Sequence, residues 1–320
     1  MNESYDAIII GSGIGGAAVG GLLAHAGYKT LVLEKNAFIG GRCTSYQKDG
    51  FTVDVGVHLF GVADKGSLGD VCRRIGTPDA IDWVTIEKPI LRVGNERKKY
   101  SRANMIGTMP QAESDKLASI FIKISQMTED EIDRLWYVPL DQWVNQYTTH
   151  PQAHDFFDMI NGQYFCVELN VASTAEFIRC FREVLAARSS AYPKGGCIAI
   201  PRAYLAAVER HGGKVMTKAG VDKVLVENKT AVGVRLKDGR EFRAPIIISN
   251  ADIKATVSDL VGTDHFPADY VNRIQNLTWS YHAIGLKVGL AEKITGDQLL
   301  MYRPYAKEEG EDRKGKLSPG

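Results

Sequence analysis

The chain opens with an apolar run, a cluster of glycines and a second apolar run. Residues 5–10 are unbroken and mostly apolar up to Gly11, the pattern of a strand buried on both faces of a parallel sheet. Residues 14–26 are rich in alanine, leucine and glycine, which predicts a helix packed closely on that sheet. Gly27 supplies the C-terminal stop. Residues 29–34 form the second strand. A right-handed crossover makes the two strands parallel neighbours.

Downstream the period changes twice. The segment PILRVGNERKKYS predicts a hairpin with Gly94-Asn95 at its turn. Its basic run Arg97, Lys98, Lys99 suits a solvated edge strand. Residues 113–190 read as mostly helical. Leu117, Ile120, Phe121, Ile124 and Met127 recur at helical spacing, and so do Phe177, Cys180, Phe181 and Leu185. Such stripes are expected to be core, with part of them open to lining a lipophilic pocket. Thr128 with Glu131 predicts a capping box. From Lys214 the alternation is that of strands, with turns at Asn228-Lys229 and Asp238-Gly239. SNAD opens a further helix, and residues 280–290 read as one more strand. The charged tail from Lys307 shows no apolar periodicity.

Composition narrows the class little. The 320 residues suffice for roughly two domains of about 150 residues each. Hydrophobic residues make up 44% and charged residues 24%, ordinary for a globular chain. The formal net charge of +1 gives no global field for nucleic acid, so no such partner is expected. The five cysteines, Cys43, Cys72, Cys166, Cys180 and Cys197, are odd in number and contain no C-x-x-C pair. Reduced thiols in a cytoplasmic protein, with no metal site, are therefore expected. No basic n-region with a cleavage site is read before the first strand, so no targeting segment is expected, and no apolar run is long enough to span a bilayer. Contact with a membrane surface stays open, as does oligomeric state.

The chemistry sits in the glycines. Gly11, Gly13 and Gly16 form G-x-G-x-x-G between strand and helix. The first allows the tight turn, the second lets a pyrophosphate approach the backbone, and the third lets helix and strand close up. The helix start points free N–H groups and its positive dipole end at the phosphates. Glu34, closing the second strand, can accept hydrogen bonds from an adenosine ribose. Its charge disfavours a 2′-phosphate. The pair Gly40-Gly41 and Arg42 follow within one short loop, where the backbone comes close to a ligand and the guanidinium can neutralise a phosphate.

With these residues the sequence resembles flavoproteins with a glutathione-reductase-like FAD domain, in the branch that holds amine oxidases, carotenoid desaturases and protoporphyrinogen oxidase. FTVDVGVHLF is similar to a segment that passes near the flavin ring in that family. YPKGGCIAIPRAYLAAVERHGGKV, VDKVLVENKTAVGVRLKDG and IIISNAD resemble phytoene desaturases and carotenoid isomerases. The resemblance implies an α/β fold: an FAD-binding Rossmann domain with an inserted α+β substrate domain. It implies FAD-binding parts at residues 1–85 and 191–260, a mostly helical substrate part at 86–190, and a return to it at 261–320. Gly11, Ser12, Gly13, Gly15 and Gly16 would lie at the pyrophosphate. Glu34 would lie at the ribose, Gly41 and Arg42 at the phosphate side, Lys35 would be a further cofactor-binding residue, and Val221 would offer its backbone to the adenine.

His58 is a candidate flavin neighbour, with a satisfied structural histidine as the simpler alternative. No catalytic residue is assigned, because the flavin carries the hydride. Asp54 is expected to anchor its loop rather than act as a base. Nothing after Lys293 resembles the family's closing glycine-rich turn, so a chain that lacks this part is expected.

The implied function is an FAD-dependent oxidoreductase that desaturates, saturates or isomerises C–C bonds of a lipophilic, isoprenoid- or carotenoid-like substrate. A flavin amine oxidase and a non-enzymatic, prenyl-protein-binding module like the Rab GDP-dissociation inhibitors are the alternatives.

Overall fold

The structure is a computed structural model. It describes residues 4–303 apart from 57, 58, 62, 88, 89, 94, 95, 100, 102, 103, 105–108, 188, 189, 282–284, 294, 295 and 297–299. The hairpin turn expected at Gly94-Asn95 and the tail from Lys307 lie outside the described residues. The chain divides into two compact units. The first comprises Met1–Thr85, Glu183–Trp279 and Ile284–Gly289; the second comprises Ile86–Arg182, Ser280–Ala283 and Leu290–Gly320.

In the first unit, β1 (Ala7–Ile10) runs into α1 (Ile14–His25) and then β2 (Thr30–Leu33). Both strands are buried along their whole length, as a parallel sheet covered on both faces requires. Gly27, at φ +92°, ends α1 in the left-handed region. The hairpin β3 (Ser45–Lys48) and β4 (Phe51–Asp54) follows, then α2 (Ser67–Arg74) and β5 (Trp83–Thr85). The chain re-enters with β6 (Ala191–Pro193), antiparallel to β5, and α3 (Ala199–Arg210). Next come β7 (Lys214–Met216), β8 (Val221–Glu227), β9 (Thr230–Leu236), β10 (Glu241–Arg243) and β11 (Ile246–Ser249).

The central sheet has the order β11-β1-β2-β7, and every pair in it is parallel. Strand order reverses at β1, with β2 on one side and β11 on the other. The crevice beyond the carboxyl ends of such strands is where open α/β sheets bind ligands. A separate antiparallel sheet, β8-β9-β10, packs beside it. The β8–β9 turn holds Asn228 and Lys229 at φ +49° and +63°, the primed hairpin geometry the sequence predicts. One core joins α1, the sheet and α3 through Ile9, Ala17, Val32, Tyr204 and Val208. A second fills the other face through Ile8, Leu31, Leu33, Val234 and Leu236.

The second unit is mainly helical. Its core gathers Leu117, Ile120, Phe121 and Ile124 of the helix Gln111–Gln126 with Trp143, Phe156, Phe157, Phe177 and Phe181. Phe177 and Phe181 stack with ring centroids 5.6 Å apart. The predicted stripes are thus core at these positions. Thr128 and Glu131 form both bonds of the expected capping box. The basic run sits in the strand Glu96–Lys99, the edge of a three-stranded sheet.

The strand expected at 280–290 does not form at its described positions. Residues 285–290 are exposed and Leu286 stands 87% exposed. Alternation needs a neighbouring strand to become a strand, and these residues pair with none among those described. No described helix is long and apolar enough to cross a membrane.

Candidate functional site

The site begins at the turn from β1 into α1. Gly11 sits at φ +96°, where a side chain would be strained. A Cβ on Gly16 would lie 2.1 Å from the Gly11 carbonyl oxygen, so only glycine lets α1 start this close to the strand. No side chain caps α1 and its first turn holds no acid. Its leading N–H groups therefore face outward with the positive end of the helix dipole, a ready anion site.

Glu34 is drawn under this turn and buried, at 4% exposure. Its Oε2 accepts from the Ser12 backbone N–H at 3.0 Å and from the Ser12 hydroxyl at 2.6 Å. Its Oε1 accepts from the Asn36 N–H at 2.8 Å. Ser12 thus gives both donors to the carboxylate. A carboxylate offers about four acceptor positions, so Glu34 keeps capacity for a ribose hydroxyl.

The loop at Gly40 closes onto the same turn. Gly40 donates its N–H to the Ser12 carbonyl at 3.1 Å, and a parallel bridge joins Gly13 to Gly40. A Cβ on Gly41 would sit 3.5 Å from the Gly13 Cα. Arg42 is exposed, and its guanidinium holds no hydrogen bond or ion pair with a described residue. On the far side, the Ala219 N–H donates to the Glu34 carbonyl and the Lys218 N–H to the Asn36 carbonyl, both at 2.8 Å. A Cβ on Gly220 would lie 3.5 Å from the Lys35 Cβ. Val221, which opens β8, is thereby placed next to the end of β2, and Lys35 stays exposed.

The structure therefore gathers Gly11, Ser12, Gly13, Gly15, Gly16, Glu34, Lys35, Gly41, Arg42 and Val221 at one end of the sheet. His58 lies outside the described residues. Asp54 anchors its loop, as the sequence suggests: its Oδ1 accepts from the Ser45 hydroxyl at 2.6 Å and from the Cys197 N–H at 2.8 Å. Burial, and next the charge of Asp54, push the Tyr192 phenol up from its ordinary value.

Asn250 is the residue that sequence reasoning missed. It follows β11, and its N–H donates to the Ile10 carbonyl at 2.8 Å. Its carboxamide lies across the glycine turn. A Cβ on Gly13 would lie 2.9 Å from its Nδ2, and one on Gly15 2.7 Å from its Oδ1. The carboxamide is exposed and bonds no described residue. The motif SNAD was the available signal, but nothing local says that β11 lies beside β1. Thr44, two residues after Arg42, has a buried hydroxyl with no hydrogen-bond partner among the described residues.

These features fit an FAD. Gly11 is held at positive φ and Gly16 packs against backbone, α1 offers uncapped N–H groups, Glu34 retains acceptor capacity and Arg42 is exposed with no bond to a described residue.

Fold and site together define a flavoprotein built on a Rossmann-type FAD-binding sheet. The chain belongs to the family of flavin-containing amine oxidoreductases, whose model matches residues 14–290. It is 29% identical over 311 residues to prolycopene isomerase 1, chloroplastic, of an Oncidium hybrid cultivar, covering 84% of this chain and 52% of that one. It is 27% identical over 300 residues to the all-trans-retinol 13,14-reductase of Homo sapiens, covering 81% and 49%. The chain thus spans about half the length of these curated relatives. Among solved structures, an oxidoreductase from Methanosarcina mazei superposes with a TM-score of 0.70 at 20% identity, covering 85% of this chain and 65% of that one. That likeness shows the fold.

Proposed function

We propose that the protein is an FAD-dependent oxidoreductase acting on C–C double bonds of a lipophilic, isoprenoid-like substrate. The observation that carries the reading is the convergence of the glycine turn, Glu34, Arg42 and the Gly220-Val221 corner on one end of the parallel sheet. The prolycopene isomerase and retinol reductase relatives favour a polyene over an amine.

In this reading the uncapped start of α1 and Arg42 neutralise the pyrophosphate. Ser12 orients Glu34 toward the ribose, and Val221 offers its backbone to the adenine. Asn250 holds the phosphates from the β11 side. Lys35 borders the ribose and Gly41 lets the backbone approach. When bound, FAD supplies a two-electron hydride centre. The first unit then holds the cofactor and the helical second unit carries the substrate part. One hollow of the second unit, about 420 Å³, is lined by Ser119, Ile122, Lys123, Gln126, Met127 and Glu131. Its charged wall suits an apolar chain poorly, so it is not assigned to the substrate.

The test is a visible spectrum after adding FAD, followed by anaerobic incubation of the reduced, loaded protein with all-trans-retinol. Flavin bands that recover their oxidised form as a double bond is saturated support the reading. A protein that takes up no flavin refutes it. Peroxide released from an amine, with no change in the polyene, replaces it with the amine-oxidase alternative.

A further inference from the structure

Cys43 and Cys197 are far apart in sequence and meet in the first unit. Cys43 follows Arg42, and Cys197 lies just before α3. Both are free and buried. The contacts are reciprocal. The Cys43 thiol donates to the Cys197 carbonyl at 3.3 Å, and the Cys197 thiol donates to the Thr44 carbonyl at 3.3 Å. Each sulfur thus reaches across to the other's stretch of backbone. The two backbones are clamped in this arrangement. The Ser45 hydroxyl accepts from the Ile198 N–H at 3.2 Å, and Asp54 bonds both Ser45 and the Cys197 N–H. A Cβ on Gly196 would lie 2.4 Å from the Ser45 Oγ, so glycine permits the approach. A disulfide requires two backbones close together with their side chains turned toward each other, and the reciprocal contacts bring each sulfur to the other's stretch of backbone.

We propose that Cys43 and Cys197 are a reversible dithiol–disulfide pair, closed by hydrogen peroxide, that ties the loop carrying Arg42 to the segment entering α3. The two sulfurs have different roles. The hydrogen bond from Cys43, ahead of the one from the Ser45 hydroxyl, draws the Cys197 thiol below its ordinary value. That same contact, with burial, pushes the Cys43 thiol up. The Ser45 hydroxyl lies 3.6 Å from the Cys197 sulfur and α3 begins two residues on, which favours a thiolate there, so Cys197 is the attacking sulfur and Cys43 the resolving thiol. The Cys197 sulfur attacks one peroxide oxygen, the O–O bond breaks, and hydroxide leaves and is protonated to water. The Cys43 thiol gives up its proton and attacks the resulting sulfenic sulfur. The S–S bond forms and a second water leaves. Two thiols are oxidised, one peroxide is reduced, and a dithiol reductant reverses the change. Cys43 keeps 4% exposure and Cys197 none, so peroxide reaches the pair when the surrounding segment opens locally. The bridge exists independently of the substrate assigned above.

The test treats the full FAD-loaded chain with hydrogen peroxide, then unfolds it without reductant, alkylates the free thiols and maps the peptides. The expected result is a fall from the five cysteines of the sequence by one pair, a peptide joining Cys43 to Cys197, and full recovery with dithiothreitol. Cys72→Ser should still form the bridge. Cys43→Ser should form none, and should leave a sulfenic acid at Cys197 that dimedone traps. An unchanged thiol count overturns the proposal, and so does a bridge that enlists Cys72, Cys166 or Cys180. Mapping of the unmodified chain decides the matter even where a variant does not fold.

Discussion

Single atoms decide most of the cofactor turn. The absent Cβ of Gly16 is the sharpest case, because its would-be neighbour is the backbone oxygen of Gly11, which cannot swing aside. Gly16→Ala should therefore lower stability by at least about 2 kcal/mol and abolish flavin retention, as read by chemical denaturation and flavin fluorescence. Asn250 is different, since its carboxamide is exposed and bonds no described residue. Asn250→Ala should leave the unfolding midpoint unchanged and weaken FAD binding about tenfold, the loss of one hydrogen bond to a charged group. The glycines and Glu34 were legible because their roles follow from local spacing. Asn250 was not, because its role depends on a strand far along the chain lying beside β1. In the second unit, a hydrogen bond to Glu168 holds the proton on Tyr281 and pushes its phenol up to about 12. Glu168→Gln removes the negative acceptor, so the tyrosine titration that is lost in Tyr281→Phe should move down toward about 10.

At the scale of elements, capping and turn chemistry carried over from sequence to structure where the signal is contained in a few residues. Thr128 and Glu131 bond each other's backbone as their spacing predicts. Thr128→Ala should cost about 1 kcal/mol, measured as a lower urea midpoint with the flavin spectrum intact. Longer patterns were divided by their partners. The alternating stretch from Lys214 reads as one continuous region of strands, yet it splits. Lys214–Met216 joins the parallel sheet beside β2, Lys218 turns at φ +53°, and Val221–Glu227 starts an antiparallel sheet. Alternation says that one face is apolar; it does not say which sheet that face will cover. Residues 285–290 show the same limit, carrying a strand pattern with no partner among the described residues.

For the molecule as a whole, the cofactor and the fold of the first unit are linked. The residues proposed to hold FAD are brought together only by folding: the glycine turn, the end of β2 and the Gly220-Val221 corner. FAD at about a hundredfold its Kd should therefore stabilise the fold by about 2.7 kcal/mol, seen as a higher calorimetric midpoint. Gly16→Ala should remove the shift, whereas Thr128→Ala should preserve it. A midpoint indifferent to FAD in the unmodified chain would contradict the assigned site.

The sequence by itself determined the βαβ opening, the identity of the dinucleotide turn, the acid that ends β2 and the helical stripe at Leu117, Ile120, Phe121 and Ile124. Each is a matter of spacing within one or two elements. Tertiary structure decided the order β11-β1-β2-β7, the donors that Ser12 spends on Glu34, the place of Asn250 over the glycines and the meeting of Cys43 with Cys197. These depend on contacts between residues separated by most of the chain. Local propensity carries no information about such contacts; packing and hydrogen-bond satisfaction across the whole core select them.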